Sequence, residues 1–362
     1  KGLRVNIAFA VSIRKWGGVK TWCIDNGVAL KNAGHRVFIY GRPGPFPEKA
    51  EQLGLEARPF DFGLDFSIIA ILYFIREFRR NKIDICVCNV VKDMRTAGIA
   101  ARILGIPIVQ HLGDVGDLRN TFKARLAQRI LKPALVTCSK YCYDTLSERI
   151  PLLAEYPFQF IHPGVMPASE PKKCLHKPRV IITTCQLNKA KGHVDLFRAL
   201  AILRKNGRDF RCIVVGTGTY EREVKLFTEE LGISDLVEFT GYVPSVAEQL
   251  ARADIYVLPS YCEALGIALE EAMASGLVCV ARKNGGVPEI WPPSEFDLLV
   301  DKDDRGEAFA AALGGLLELA DDELLEKGQI FYRHASQAFH AEKQAEKLEN
   351  FIRKAAALNP AL

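Results

Sequence analysis

Short runs rich in Val, Ile, Ala and Cys recur along the chain and alternate with longer stretches of helical spacing. In the first half Val5–Val11, Arg36–Tyr40, Ile83–Val90, Ile106–His111, Ala134–Ser139 and Phe158–Ile161 are nearly continuous in apolar character. Strands buried on both faces read this way, so the pattern predicts a parallel sheet. Thr21–Ala33, Ser67–Arg80 and Lys92–Leu104 carry apolar residues at helical spacing between the strands. The second half repeats the scheme with strands Val180–Thr184, Arg211–Val215, Val237–Thr240, Ile255–Leu258, Val278–Ala281 and Asp297–Leu299. Helices are expected at roughly 193–206, 220–231, 245–252, 267–275 and 305–319, and again over Phe331–Ala357. Strand and helix in alternation make an α/β protein of two doubly wound units. His162-Pro163-Gly164-Val165 follows a strand, and the Pro- and Lys-rich stretch Pro167–Pro178 has linker composition, which places a boundary near 165/166.

The length of 362 residues agrees with two domains, and 49% apolar with 25% charged residues is ordinary globular composition. The longest apolar run, Phe66–Ile75, is too short to span a bilayer. Lys1–Ile13 lacks a small-residue cleavage site and reads as a first strand, not a signal peptide. Of ten cysteines, Cys86, Cys88, Cys185, Cys212 and Cys279 sit inside runs rich in Val and Ile; there is no Cys-x-x-Cys pair, and Cys138 and Cys142 have no nearby histidine at metal spacing. Reduced core thiols in a cytosolic protein are therefore expected, and a zinc site is not. Charge divides unevenly: residues 1–175 hold 26 Lys and Arg against 15 Asp and Glu, a net +11, and residues 176–362 hold 22 against 28, a net −6. A basic first half suits an anionic acceptor or membrane surface. Its cations cluster as Arg76, Arg79, Arg80 and Lys82, and as Lys123, Arg125, Arg129 and Lys132. Nucleic acid is a poor partner, because the cations are not interleaved with stacking aromatics.

The densest chemistry lies in Ser260–Gly276, where a strand gives way to a helix whose first amides are free donors. Glu263 can accept sugar hydroxyls there, the amides of Ala264, Leu265 and Gly266 can hold a diphosphate, and Glu271 can take two ribose hydroxyls. This E-x7-E string resembles the signature of retaining GT-B glycosyltransferases of family four (glycosyl transferases group 1), with Ala272-Met273-Ala274-Ser275-Gly276 selecting Glu271 over Glu270. Further stretches resemble the same family in the same order: Gly17-Gly18-Val19, Val215-Gly216-Thr217-Gly218, Phe239-Thr240-Gly241-Tyr242-Val243 and Asn284–Ile290. The resemblance covers nearly the whole chain and is densest between Thr183 and Ile290.

The resemblance implies two Rossmann-like domains facing a central cleft. Residues 1–165 would bind the acceptor and 166–344 the nucleotide-sugar donor, with a C-terminal helix over roughly 345–362 crossing back to the first domain. It implies that Glu263 contacts the donor sugar and Glu271 the ribose, that Gly17, Gly18, Gly216 and Gly218 let backbone approach the donor, and that Tyr242 and Val243 lie beside the base. His111, ending its strand in Val109-Gln110-His111-Leu112-Gly113-Asp114, would lie beside the anomeric centre. Asp114 and Asp117 follow as candidates to orient an acceptor hydroxyl. One departure is visible: the family's Arg-x4-Lys-Gly is here Gln186–Gly192, so Lys191 is kept and Gln186 stands where arginine is usual. Losing that guanidinium removes a charged hydrogen bond of about 1.5–3 kcal/mol, unless Lys189 substitutes.

The reaction expected is metal-independent, retaining hexosyl transfer from a nucleotide diphosphate sugar, a UDP-sugar ahead of a GDP-sugar, to a glycan or lipid-linked acceptor. Lys191 and the amides after Glu263 would stabilise the leaving diphosphate. No further cofactor is called for. Bacterial surface polysaccharide or lipopolysaccharide assembly, in the cytoplasm or peripherally at the inner face of the membrane, is the expected setting. A nucleotide-sugar epimerase of the same fold and a non-catalytic sugar-nucleotide binding protein are the alternatives. A Rossmann dehydrogenase is disfavoured, since no G-x-G-x-x-G follows the first strand.

Overall fold

The computed structural model describes residues 4–14, 16–243 and 245–357. The first three residues of the opening stretch and the last five of the predicted 345–362 segment lie outside them. The chain divides into two compact units, Lys1–Gly164 with Ala341–Leu362, and Val165–His340.

In the first unit seven strands form a parallel sheet in the order β3-β2-β1-β4-β5-β6-β7. Chain order runs β1 (Asn6–Val11), α1 (Gly18–Asn32), β2 (Arg36–Gly41), α2 (Pro45–Gln52), β3 (Glu56–Pro59), α3 (Ile68–Arg80) and β4 (Ile85–Cys88). It continues with α4 (Val91–Asp93), a π turn over Met94–Gly98, α5 (Ile99–Ile103), β5 (Ile108–Leu112), α6 (Phe122–Leu131), β6 (Ala134–Thr137), α7 (Lys140–Arg149) and β7 (Phe158–Phe160). Side chains of β1, β4 and β5 are buried on both faces, which accounts for their unbroken apolar sequence. One face packs Trp22, Cys23, Ile24 and Leu30 of α1 with Phe46 of α2; the other packs Phe74 and Phe78 of α3 with Ala97, Ala100 and Leu131.

The second unit holds β8 (Arg179–Thr184), α8 (His193–Lys205), β9 (Phe210–Val215), α9 (Glu221–Glu230), β10 (Val237–Gly241), α10 (Val246–Ala251), β11 (Ile255–Leu258), α11 (Ile267–Ala274), β12 (Val278–Arg282), β13 (Leu299–Val300), α12 (Glu307–Glu318) and α13 (Asp321–Ala338). Its parallel sheet runs β10-β9-β8-β11-β12-β13. In each sheet the order reverses beside the unit's first strand, the switch point at which open α/β sheets bind ligands.

Several expectations are corrected. Pro45–Gln52 is a helix and Glu56–Pro59 an edge strand, neither of which the apolar pattern marks. The last predicted strand forms at Leu299–Val300 instead of Asp297–Leu299. The predicted helix over Phe331–Ala357 is two helices, α13 and α14 (Ala341–Ala357), because the chain breaks at Phe339-His340. There the Val165 N–H donates to Phe339 O and Val165 bridges His340. That pairing moves Val165 into the second unit and residues 341–344 into the first, against the expected limits of 165 and 344. Leu348, Phe351 and Ile352 of α14 are buried in the first unit's core beside α1.

Candidate functional site

In the second unit the loops after β8, β9, β10, β11 and β12 are knitted together at the carboxyl ends of their strands. Cys185 N–H donates to Val215 O, Leu187 N–H to Thr217 O, Tyr220 N–H to Leu187 O and Gly216 N–H to Gly241 O. Glycine is required at two of these points. Gly216 has φ +129°, and a Cβ on it would lie 2.1 Å from Cys185 O; a Cβ on Gly218 would lie 1.9 Å from Leu187 O.

Lys191 and Glu263, 72 residues apart, meet in this loop cluster: Lys191 Nζ donates to Glu263 Oε1 at 2.6 Å, both partly buried. Asn284 at the end of β12 holds the glutamate's backbone, accepting from Glu263 N–H at 2.8 Å and donating to Ser260 O at 2.7 Å. Beneath lies a buried pair that sequence reasoning missed. Arg282 donates to Asp195 Oδ2 at 2.7 Å and to Pro259 O at 3.0 Å, and Tyr261 OH donates to the same Asp195 oxygen at 2.6 Å. The signal available was a charged residue closing an otherwise apolar strand run. Ala264 and Leu265 are buried and Gly266, at φ +110°, caps α11; its carbonyl accepts from Leu269 N–H at 2.9 Å and Glu270 N–H at 3.2 Å, so the amides without an acceptor inside the helix are those at its very start. Glu271 is half-buried on α11, while its neighbour Glu270 is fully buried.

Gln186 is exposed and accepts from Asn188 Nδ2 at 3.3 Å; Lys189, the suggested substitute cation, places Nζ 5.5 Å from the Tyr220 ring centroid. Tyr242 is exposed and Val243 half-buried beyond β10. Cys185 Sγ and His193 Nε2 are 3.3 Å apart. Burial pushes the thiol up to about 12 and the imidazole down to about 4, the latter with help from the Lys191 charge.

The first unit gathers a different set. Gly17 caps α1 and Gly18 begins it; both are exposed, and a Cβ on Gly17 would meet no atom within 4 Å. The protein's own packing therefore does not demand glycine at 17. His111, on β5, is buried and stacks on Trp22 with centroids 3.7 Å apart and planes 1° from parallel. Its Nδ1 lies 3.1 Å from Asn89 Oδ1, and burial lowers its pKa to about 3. Asp117 is turned inward: Oδ2 accepts from Gly113 N–H and Asp114 N–H, and burial raises it to about 6. Asp114 accepts from Gly116 N–H. Both acids thus close their own loop. The described residues contain no group of three or more His, Cys, Asp or Glu placed to hold a metal.

A sheet-switch site with an ion pair and close-packed glycine loops stands where open α/β proteins as a class bind their ligands. Two family models divide this chain between them: "Glycosyltransferase Family 4" matches residues 16–168, and "Glycosyl transferases group 1" matches 168–330. The chain belongs to this glycosyltransferase family. A protein of Escherichia coli (strain K12) named for colanic acid biosynthesis glycosyltransfer is 33% identical over 162 residues, 42% of this chain and 40% of that protein. The matched stretch thus spans less than half of that relative. Among solved structures, a glycosyltransferase of Rickettsia africae superposes with a TM-score of 0.84 at 18% identity, covering 97% of this chain and 98% of that one. HepE of Anabaena, solved with UDP and glucose, superposes with 0.80 at 20% identity, covering 97% and 100%. These likenesses establish the two-domain GT-B fold.

Proposed function

We propose that the chain transfers a hexosyl group, with retention, from a nucleotide diphosphate sugar to a glycan or lipid-linked acceptor of a bacterial surface polysaccharide. The observation that carries this reading is the Lys191–Glu263 pair at the strand ends of the second unit, backed by glycines that bring backbone within reach of a ligand. Glu263 has a second oxygen to accept a sugar hydroxyl, and Lys191 can move to the leaving diphosphate, whose charge it would stabilise along with the amides that begin α11. Glu271 is the proposed ribose contact, Gly216, Gly218, Tyr242 and Val243 the donor-side wall, and His111 the first unit's contribution. The colanic acid relative supports the polysaccharide setting, and the UDP held by HepE supports a UDP-sugar donor.

Membrane attachment belongs to the same proposal. On α6 the outward stripe Phe122, Leu126 and Ile130 is exposed while Ala124, Gln128 and Leu131 are buried, and Lys123, Arg125 and Arg129 border the stripe. On α3, which packs on the same face of the sheet, Ile68, Ile69 and Leu72 are exposed and Arg76, Arg79 and Arg80 follow. Apolar residues bordered by cations fit an anionic bilayer surface, each cation contributing about 1 kcal/mol. No described helix is long and apolar enough to cross a membrane.

A panel of UDP-, GDP- and ADP-sugars, with anomeric configuration read by NMR and EDTA present, tests the reaction. Glu263→Ala is expected to abolish transfer in a folded protein, and near-normal turnover would refute the assignment. Co-sedimentation with vesicles of phosphatidylglycerol, and not of phosphatidylcholine alone, tests the surface. Phe122→Ser with Leu126→Ser should remove it; equal sedimentation of that variant would refute the docking face.

A further inference from the structure

Asn89 follows β4, is fully buried, and touches four elements of the first unit's switch point. Its Nδ2 donates to Ala10 O at 3.1 Å on β1, which settles which way the amide faces: the reverse orientation would set two oxygens against each other. Oδ1 is then directed at His111 Nδ1, 3.1 Å away, and also accepts from Cys23 Sγ at 3.5 Å. The Asn89 backbone is held as well, its N–H donating to Asp93 Oδ2 at 3.2 Å, and the same carboxylate accepts from Val90 N–H at 3.0 Å and Ser12 N–H at 2.8 Å.

An amide oxygen only accepts, so Nδ1 of His111 must carry the hydrogen. In a neutral imidazole Nε2 is then a bare lone pair. Nε2 has no hydrogen-bond partner among the described residues, and the ring edge beside it is kept open by Gly113, where a Cβ would lie 3.2 Å from Cε1 and 3.7 Å from Nε2. The parallel Trp22 ring opposes a flip of the imidazole about Cβ–Cγ, which would put Cδ2 in place of Nδ1 and Cε1 in place of Nε2.

We infer that Asn89 is a positioning residue that makes His111 a hydrogen-bond acceptor at Nε2, so that the substrate group it takes is a neutral sugar hydroxyl donating its hydrogen and not a carboxylate or phosphate oxygen. The tautomer stands on the geometry alone; the substrate contact rests on the glycosyltransferase reading. Asp93 acts one step further back, pinning Asn89 and the end of β1 in the register that brings Oδ1 to the imidazole.

Histidine-selective 15N labelling resolves the matter, because protonated and bare ring nitrogens give well-separated 15N signals, and a His111→Gln spectrum assigns the residue among the seven histidines. The wild-type protein at neutral pH should show His111 with Nδ1 protonated and Nε2 bare. Asn89→Leu should convert it to the other tautomer or a mixture, while Asn89→Asp, which keeps the accepting oxygen, should restore Nδ1 protonation. A wild-type Nε2–H form, or an Asn89→Leu spectrum unchanged in a protein whose circular dichroism is native, overturns the inference. With the donor found in the sugar-nucleotide panel, Asn89→Leu should lower kcat about tenfold or more, and adding it to His111→Ala should cost nothing further. Full turnover by a folded His111→Ala enzyme would instead sink the functional reading and leave the tautomer result intact.

Discussion

Replacing Arg282 by methionine tests the framework beneath Glu263. The arginine is completely buried, and its guanidinium donates to Pro259 O, to Lys302 O and Asp304 O at 2.9 Å each, and to Asp195 Oδ2 at 2.7 Å. It also lies 4.7 Å from the Tyr261 ring centroid and 5.3 Å from that of Phe309. Arg282→Met keeps most of the stem's volume and removes every donor. Four carbonyls, that of Asp301 included, lose that partner, and among the described residues the equally buried Asp195 keeps the Tyr261 OH and the solvent-facing Arg198. Stranding one member of a buried pair costs about 3–5 kcal/mol, a large share of the 5–15 kcal/mol typical of a whole domain. Asp195→Asn in the same background removes the stranded charge and should recover about 2 kcal/mol of that loss. Urea unfolding should be followed through Trp291, the sole tryptophan of residues 165–340, because a chain of two units need not unfold in one step. Donor affinity should fall along with stability, since Pro259 and Tyr261 carry the strand end into Glu263. A loss below about 1 kcal/mol for Arg282→Met, or a double variant no more stable than the single, would refute the reasoning.

Acid should destabilise the protein. Burial holds His111 at about 3 and His162 and His193 at about 4, against an ordinary 6.5, so these groups stay neutral in the folded chain while the unfolded chain takes up protons. Their contribution is complete above pH 6.5 and is lost as pH falls, about 2 kcal/mol each by pH 5. Burial raises Asp93 and Asp117 to about 6, and they act in the opposite sense, gaining about 1.3 kcal/mol each over the same interval. The net loss of roughly 3 kcal/mol between pH 7 and 5 should appear as a lower Tm, and a Tm that rises would contradict it. Gly192→Ala should cost at least about 2 kcal/mol and weaken donor binding, because φ is +68° and the added Cβ would lie 2.0 Å from Pro259 O; an unchanged Tm would show that the loops yield. Leu348→Ala, in the buried face of α14, should cost about 2–5 kcal/mol in urea unfolding, and a loss under 1 kcal/mol would mean the helix is not part of the first unit's core.

The strands of both sheets were legible because a strand covered on both faces must be apolar throughout, a demand each run meets by itself. Glu56–Pro59 escaped because an edge strand carries no such demand: Glu56 and Arg58 of that strand pair with each other at its surface. Pro45-Phe46-Pro47 went unmarked because the segment is short and carries no clear apolar period, although proline is at home in a helix's first turn. The break at Phe339-His340 left no trace in the helical period, since it is imposed by Val165, more than 170 residues earlier.

The acidic and glycine positions of the second unit were visible as local strings, because strand-to-helix turns need particular residue types close together in the chain. What each side chain meets was decided only in three dimensions. Lys191 reaches Glu263, Arg282 reaches Asp195 and Asn89 reaches His111 across separate βα units, which a parallel sheet brings side by side at its carboxyl edge. Local chemistry selects the element a residue occupies; the packing of elements distant in sequence sets its partner, its burial and hence its protonation, and no pattern read along one segment contains that information.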